Sequence, residues 1–314
     1  MPRALVTGAS GFVGPHLIRH LLELEYEVVG GVHGPVVRLP EQCRRVVLDV
    51  TNREEMRRAV AEVQPDEVYH LAGLTRPASG AIEGFYRVNF GGALNLLEAV
   101  RERMPEARVL LVGSAYAYGR VDHPITETEP FEPVNHYGVS KASADLLGRS
   151  YAMEGLWVAR ARPFNHSGPG QSPDFVLPTL VRQFAEIKVR KRDPIVRLGN
   201  LHSVRDFSDV RDIVRGYHLM LKRGRSGEAY NLGSGRGMSV RDLLELVSQA
   251  AGVKVELCVE QSRVRATDIP YLVADTGKAR RELGWEAQTP LERTIREMLA
   301  ANRIAATSSR AKKS

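Results

Sequence analysis

The sequence predicts an α/β fold: a doubly wound parallel sheet with a smaller C-terminal α/β region. Three observations predict it. Strand-like and helix-like patterns alternate from the first residues. A glycine-rich turn separates the first strand from the first helix. The texture of the chain also changes after Arg162. In order, residues 4–7 are a short apolar run with β propensity, and residues 17–24 repeat apolar side chains at helical spacing. Residues 28–32 and 46–48 read as strands, 54–63 as a helix, Glu67–His70 as a strand, 93–100 as a helix and Arg108–Val112 as a buried strand. Such alternation implies βαβ units with helices on both faces of a parallel sheet, the Rossmann-type arrangement.

Beyond Arg162, residues 164–170 form a turn-rich crossover, and later elements are shorter and punctuated by Gly and Pro. These are Ile195–Leu198, residues 209–221, Ala229–Leu232, and residues 240–250 and 253–259. The expected organisation is a dinucleotide-binding core over residues 1–162. A mainly substrate-binding region over 163–305 is interleaved with that core, and a basic, disordered tail covers 306–314.

Composition narrows the function classes. The chain has 314 residues and a formal net charge of +7, with only 6% aromatic residues. The cationic surplus is spread rather than clustered with aromatics, which suits an anionic small ligand and argues against nucleic acid. Two cysteines, Cys43 and Cys258, lie far apart in strand-like apolar runs, which excludes a disulfide framework, and no metal site is expected. No apolar run approaches the roughly 20 residues that span a bilayer, so no membrane role and a cytoplasmic location are expected.

The segment Thr7-Gly-Ala-Ser-Gly-Phe-Val-Gly14 follows the first strand and opens the first helix. Gly8 allows a tight turn, Gly11 lets a pyrophosphate approach the backbone, and Gly14 lets the helix pack on the strand. The helix N-terminus offers unsatisfied N–H groups to phosphates, with Ser10, Phe12 and Val13 completing the cradle. The end of the second strand reads Val29-Gly-Gly-Val-His-Gly34, with no acid to meet an adenosine ribose. His33 and Arg38 are instead suited to a 2′-phosphate. NADP(H) is therefore favoured as cofactor, with NAD(H) possible. Asp49 and Val50 after the third strand, and Leu71 and Ala72 after the fourth, are placed to wall the adenine and its ribose. His70 reads as structural rather than metal-ligating.

Tyr137 and Lys141 are four residues apart, hence on one face of a helix. The ammonium is expected to lower the phenol pKa and steady the nicotinamide ribose, so that Tyr137 exchanges a proton with a carbinol oxygen. Ser114 ends the fifth strand, where parallel sheets deliver side chains to a ligand, and can hold the substrate carbonyl. Ser114, Tyr137 and Lys141 form the expected catalytic set.

These residues resemble the extended short-chain dehydrogenase/reductases over nearly the whole chain, to about Leu299. The segments 162–171, 199–212 and 265–275, with Leu283-Gly-Trp285, look like the GDP-sugar branch. Within it they look most like the reductases of GDP-6-deoxy-4-keto-D-mannose, close to the GDP-mannose 4,6-dehydratases. The resemblance implies reduction of a C4 keto group of a GDP-linked 4-keto-6-deoxyhexose to GDP-D-rhamnose, in a homodimer. It also implies that Asn165, Arg205 and Arg265 hold the sugar nucleotide; Asp268 is expected beside it and His166 at the cofactor. Tyr116 departs from the reductase pattern and is expected to pack over the sugar, which leaves the exact substrate open. Arginines suit a pyrophosphate and an amide offers both donor and acceptor, although Arg205 can also pair with Asp206. Helices around 93–103 and 136–154 are candidates to meet a partner subunit.

Dehydration needs a carboxylate beside the sugar, and in dehydratases of this type acids directly follow the Ser/Thr that ends strand five. Here those positions are Ala115 and Tyr116. Glu127 and Glu129 follow in a loop and are expected to be solvated. A redox-neutral sugar-nucleotide 4-epimerase, a 4,6-dehydratase and a catalytically silent nucleotide-sugar sensor remain the alternatives.

Overall fold

In a computed structural model of the chain, residues 1–34, 39–76, 81–263 and 268–311 are described. The first half lays down β1 (Arg3–Thr7), α1 (Gly14–Glu23), β2 (Glu27–Val32), β3 (Arg44–Val47), α2 (Arg53–Val63), β4 (Glu67–His70), the short α3 (Glu83–Phe85), α4 (Gly92–Arg103) and β5 (Arg108–Val112). It continues through α5 (His136–Met153) and β6 (Val158–Pro163). The second half comprises β7 (Asn165–Ser167), α6 (Val176–Lys188), β8 (Ile195–Leu198), β9 (Val204–Asp209), α7 (Val210–Arg223), β10 (Ala229–Leu232), β11 (Gly237–Ser239), α8 (Val240–Ala251), β12 (Glu256–Val259), β13 (Tyr271–Leu272) and α9 (Leu291–Ala311).

The main sheet has seven parallel strands in the order β10-β6-β5-β4-β1-β2-β3. Alternation along β1 explains its two faces. Ala4 and Val6 point into a core shared with α1 and α7, whereas Leu5 points into one shared with α2 and α4. α7 and β10 belong to the second half of the sequence, yet they complete the sheet and cover one of its faces. A third core joins α6, α8 and α9 beside the small β11-β9-β13 sheet, which β7 extends.

Local signals explain the helix ends. Asn52 caps α2 by accepting hydrogen bonds from the backbone N–H groups of Glu54 and Glu55. Ser239 and Asp242 form a reciprocal capping box on α8, which ends at Gly252 in the left-handed region, φ +65°.

Three differences from the sequence reading have physical causes. β6 and β9 do not show as strands because they carry Arg and Asp where strands usually carry aliphatics, and those charges are buried, held by ion pairs or, at Asp206, by backbone N–H groups. Cys43 lies in a turn before β3 rather than in a strand; it and Cys258 are both free thiols. The backbone of α9 stays helical to Ala311, past the boundary read at residue 305, because the segment contains neither Gly nor Pro to stop it.

Candidate active site

The glycine turn begins where β1 ends. Gly8 has φ +67°, and a Cβ there would lie 2.7 Å from the Ala72 backbone nitrogen. A Cβ on Gly14 would lie 2.2 Å from the Ala9 carbonyl oxygen, so α1 can pack this closely only on glycine. On Gly11 a Cβ would meet only the Gly8 carbonyl oxygen, at 3.2 Å, so the turn is open outward at the position expected to face phosphate. No side chain caps α1, which begins at Gly14 with Pro15 in its first turn. Its leading N–H groups are left for an anion. Ser10 is exposed on the turn. Phe12, next to Val13, stacks on His166 at 6.1 Å with 12° between the rings.

The residues expected to wall this groove follow β3 and β4. Leu71 N–H donates to the Thr7 carbonyl (3.2 Å) and Ala72 N–H to Thr7 Oγ1 (3.3 Å). Val50 is buried against Gly92. Asp49 Oδ1 accepts from the N–H and hydroxyl of Thr51 at 2.9 and 2.8 Å. Burial works against that carboxylate, but these bonds win and hold its pKa below the ordinary value. His33 follows β2 directly, is 82% exposed, and brings Nε2 to 3.8 Å from Asp49 Oδ2. Arg38 lies outside the described residues.

The residues of the expected catalytic set converge at the C-terminal ends of β4 and β5. Ser114 is buried and its Oγ accepts from Tyr116 N–H at 3.2 Å, which caps the turn that follows β5. Tyr137 is in the first turn of α5, capped by Asn135. Its ring lies between Tyr116 (5.9 Å) and Phe85 (6.0 Å). Lys141 is buried, and its Nζ donates to the Val112 carbonyl at 2.8 Å.

The electrostatics correct one expectation. Burial lowers the Lys141 pKa to about 8. The Tyr137 phenol is shifted upward, chiefly by burial and further by Tyr116, with a Ser114 hydrogen bond pulling the other way. The lysine therefore does not acidify the phenol in the ligand-free protein. Its ammonium is engaged by a carbonyl, and desolvation dominates both groups.

The substrate side shows a second correction. Arg205 pairs neither with Asp206 nor with open solvent. It is buried and donates to Asp268 Oδ1 at 2.7 Å, while Asn200 Nδ2 holds the other carboxylate oxygen at 2.9 Å. Asp206 instead accepts from Ser234, Gly235 and Ala274 N–H groups. Side chains alternate across β9, so 205 and 206 face opposite ways. Asn165, on β7, keeps a buried Oδ1 without a partner. Arg265 lies outside the described residues. Glu127 is half-buried rather than solvated, because its Oε1 accepts from Asn231 N–H at 2.8 Å, and burial raises its pKa. Glu129 accepts from His123 at 3.0 Å.

Sequence reasoning missed Asn89, which sits in the π-helical turn Tyr86–Gly91 before α4. Its amide exchanges hydrogen bonds with Leu74 (2.7 and 3.0 Å) and donates to Ser140 Oγ (2.9 Å), tying the loop after β4 to α5. His70 is neutral, with burial pushing its pKa to about 3, and bonds Thr7 Oγ1 at 2.8 Å. It is a structural residue under the site. No element of sequence spacing marks either contact, because the partners are distant in the chain.

Residues 5–298 match the family model described as GDP-mannose 4,6 dehydratase. GDP-6-deoxy-D-mannose reductase of Pseudomonas aeruginosa is 32% identical over 95% of this chain and 96% of that protein. GDP-6-deoxy-D-talose 4-dehydrogenase of Aggregatibacter actinomycetemcomitans is 31% identical over 96% of this chain and 98% of its own length. The structure of RMD from Pseudomonas aeruginosa complexed with NADPH superposes with a TM-score of 0.84 at 30% identity, covering 97% of this chain and 100% of that one. With its seven-stranded parallel sheet, glycine turn and Ser114/Tyr137/Lys141 set, the chain belongs to the GDP-mannose 4,6-dehydratase family of short-chain dehydrogenase/reductase-type enzymes.

Proposed function

We propose that the protein reduces the C4 keto group of a GDP-linked 4-keto-6-deoxyhexose with NADPH, forming GDP-D-rhamnose. One observation carries the choice within the family. The turn after Ser114 carries Ala115, which is 1% exposed, and Tyr116, whose ring sits on Tyr137. Neither can remove a proton from C5 or protonate a leaving hydroxyl as a dehydratase must. What the site does hold is a proton donor and a carbonyl anchor.

The residues around the glycine turn fit a dinucleotide, since the cradle tolerates no Cβ at Gly8 or Gly14 while at Gly11 a Cβ would meet only the Gly8 carbonyl oxygen. Gly8, Ser10, Gly11 and the N-terminus of α1 would hold its pyrophosphate, and His33, with Arg38, a 2′-phosphate. When bound, a reduced nicotinamide supplies the hydride. Ser114 then anchors the substrate oxygen by hydrogen bond, and the Tyr137 hydroxyl donates its proton to that oxygen as charge develops. The elevated phenol pKa keeps Tyr137 in its protonated form at neutral pH. Lys141 balances the tyrosinate left behind and holds the ribose. Asn165 presents an unpartnered acceptor suited to a ligand hydroxyl. Arg205 and Asp268 are suited to the nucleotide end, once a phosphate competes with the carboxylate for the guanidinium. We read the protein as a homodimer as well, a reading supported by Leu146 and Met153 on α5, which are 54% and 82% exposed.

Incubation with GDP-6-deoxy-4-keto-D-mannose and NADPH tests the reading. One NADPH is expected to be oxidised per sugar, with a new C4 carbinol in the NMR spectrum, and Tyr137→Phe is expected to lower kcat at least ~100-fold. Interconversion of C4-hydroxy sugar nucleotides without net NADPH loss would mean epimerisation, and conversion of GDP-mannose itself would mean dehydration. Either result replaces the proposal. Cofactor binding without turnover of any sugar nucleotide would mean a sensor.

A further inference from the structure

The helix that carries the catalytic pair carries a third residue on the same face. Tyr137, Lys141 and Asp145 are spaced four and four along α5, so their side chains line one stripe. Asp145 makes no contribution to the chemistry outlined above, and its side chain is only 2% exposed. Two cations converge on it. Arg162 donates from Nε to Oδ2 at 2.8 Å and from Nη2 to Oδ1 at 2.9 Å, a two-pronged contact, and Arg160 Nη1 also donates to Oδ1. Arg160 and Arg162 are alternate residues of β6 and therefore share one face of that strand.

The cluster reaches beyond α5 and β6. Arg162 Nη1 donates to the Tyr118 hydroxyl at 2.8 Å and to the Glu127 carbonyl at 3.0 Å. Tyr118 closes the turn that begins at Ser114, and its hydroxyl donates to Asn231 Oδ1 at 2.7 Å. Asn231 Nδ2 donates in turn to the Ile125 carbonyl at 2.7 Å, while the Arg160 Nη2 group holds the Gly227 carbonyl at 2.7 Å. The guanidinium of Arg162 also lies 4.5 Å from the centre of the Phe131 ring. One ion cluster thus reaches the helix of Tyr137 and Lys141, the turn of Ser114, and the strand that leads into Asn165.

The geometry points to Asp145, clamped by Arg160 and Arg162, as a positioning residue that holds Ser114, Tyr137 and Lys141 in mutual register. A network of charge-assisted bonds with fixed forks sets side-chain placement more tightly than apolar contact does. Placement matters here because an error of about 1 Å in a reacting group costs ~100-fold in rate. The hydride-transfer part of this argument rests on the proposed keto reduction, while the placement part does not.

The test uses the NADPH-loaded protein. Asp145→Asn keeps the shape of the side chain and removes its charge. Turnover of GDP-6-deoxy-4-keto-D-mannose per bound NADPH is expected to fall ~10- to 100-fold, with KM for the sugar and Kd for NADPH within about 3-fold of wild type. Arg162→Lys keeps a cation but loses the fork and the Tyr118 bond. It is expected to show the same kcat-specific loss at smaller size, and it carries the test if the asparagine variant does not fold. A merely structural role would lower turnover and NADPH-binding sites together, leaving turnover per site unchanged, and that result overturns the inference. If wild-type protein fails to oxidise NADPH with this sugar, the reductase reading fails. Crystal structures of the NADPH complexes then decide: displacement of the Tyr137 hydroxyl or Lys141 Nζ in the variant supports the clamp, and unmoved positions overturn it.

Discussion

Lys141 shows what a single residue costs the fold. Burial lowers its pKa from 10.5 to about 8, so the folded state disfavours the ammonium form that the unfolded chain accepts. Between those two values the unfolded state binds more protons, so this group's contribution to stability rises with pH. Its penalty is complete below about pH 8 and absent above 10.5. Replacing it with an apolar side chain of similar length removes a penalty of about 3 kcal/mol and leaves the Val112 carbonyl unbonded, at about 1 kcal/mol. Lys141→Met is therefore expected to stabilise the cofactor-free protein by about 2 kcal/mol at pH 7 while abolishing turnover. Urea unfolding at pH 7 and pH 10 checks this: the advantage shrinks at the higher pH, and a variant less stable than wild type at pH 7 contradicts the argument. At this scale the candidate catalytic residues are legible because the proposed chemistry demands fixed types at fixed spacing. Asp145 and Arg162 are not, since the groups that make them matter lie up to 113 residues from one another, as Tyr118 and Asn231 do.

At the scale of elements, legibility followed hydrophobic pattern. β4, β5, β8 and β10 were read at their observed ends because apolar runs bounded them. β6 and β9 were not, because each buries charge: the Asp145 clamp holds Arg160 and Arg162, and Asp268 holds Arg205. A strand whose charges are paired inside reads, in sequence, as a surface loop. β9 ends in such a charge. Asp209 is fully buried and caps α7 by accepting from Arg211 N–H at 2.8 Å. It also takes the Arg211 guanidinium and, from α9, the Thr294 hydroxyl at 2.6 Å. Burial opposes its ionisation, but the bonds from Arg211 and Thr294 outweigh it and depress the pKa. A depressed carboxylate stabilises above its unfolded pKa near 4, and that contribution disappears as pH falls through the folded value. Asp209→Asn is expected to destabilise by about 2–4 kcal/mol at pH 7, with the gap to wild type closing as pH falls from the unfolded pKa through the depressed folded one. Thermal unfolding followed across that range decides it, and a gap independent of pH would assign the loss to packing rather than charge.

At the scale of the molecule, chain order and spatial order diverge, and this bears on where the protein can be cut. A boundary at 162 separates the glycine turn and all three catalytic residues from the rest, as though residues 1–162 were a domain. The core says otherwise. On the face of the sheet that α1 covers, the apolar cluster also contains Val210, Ile213, Val214, Tyr217, Met220 and Leu221 from α7, Tyr230 and Leu232 from β10, and Trp285. Trp285 is pinned there by donating to the Asp212 carbonyl at 2.9 Å. Without them β6 becomes a bare edge and half of one sheet face meets water. The apolar surface that these nine large side chains cover on residues 1–162 is then exposed; at about 1.5–3 kcal/mol for each lost packing partner that forfeits about 13–27 kcal/mol, against a total stability of about 5–15 kcal/mol for a typical protein. A fragment of residues 1–162 is therefore expected to lack a cooperative unfolding transition and near-ultraviolet circular dichroism, and to bind no NADPH although it carries the entire glycine turn. A fragment that unfolds cooperatively and binds the coenzyme would show that α7 and β10 are appended to a finished domain. Failure of both would mean that the glycine turn owes its shape to residues that begin at Val210, 69 positions (210 − 141) beyond Lys141.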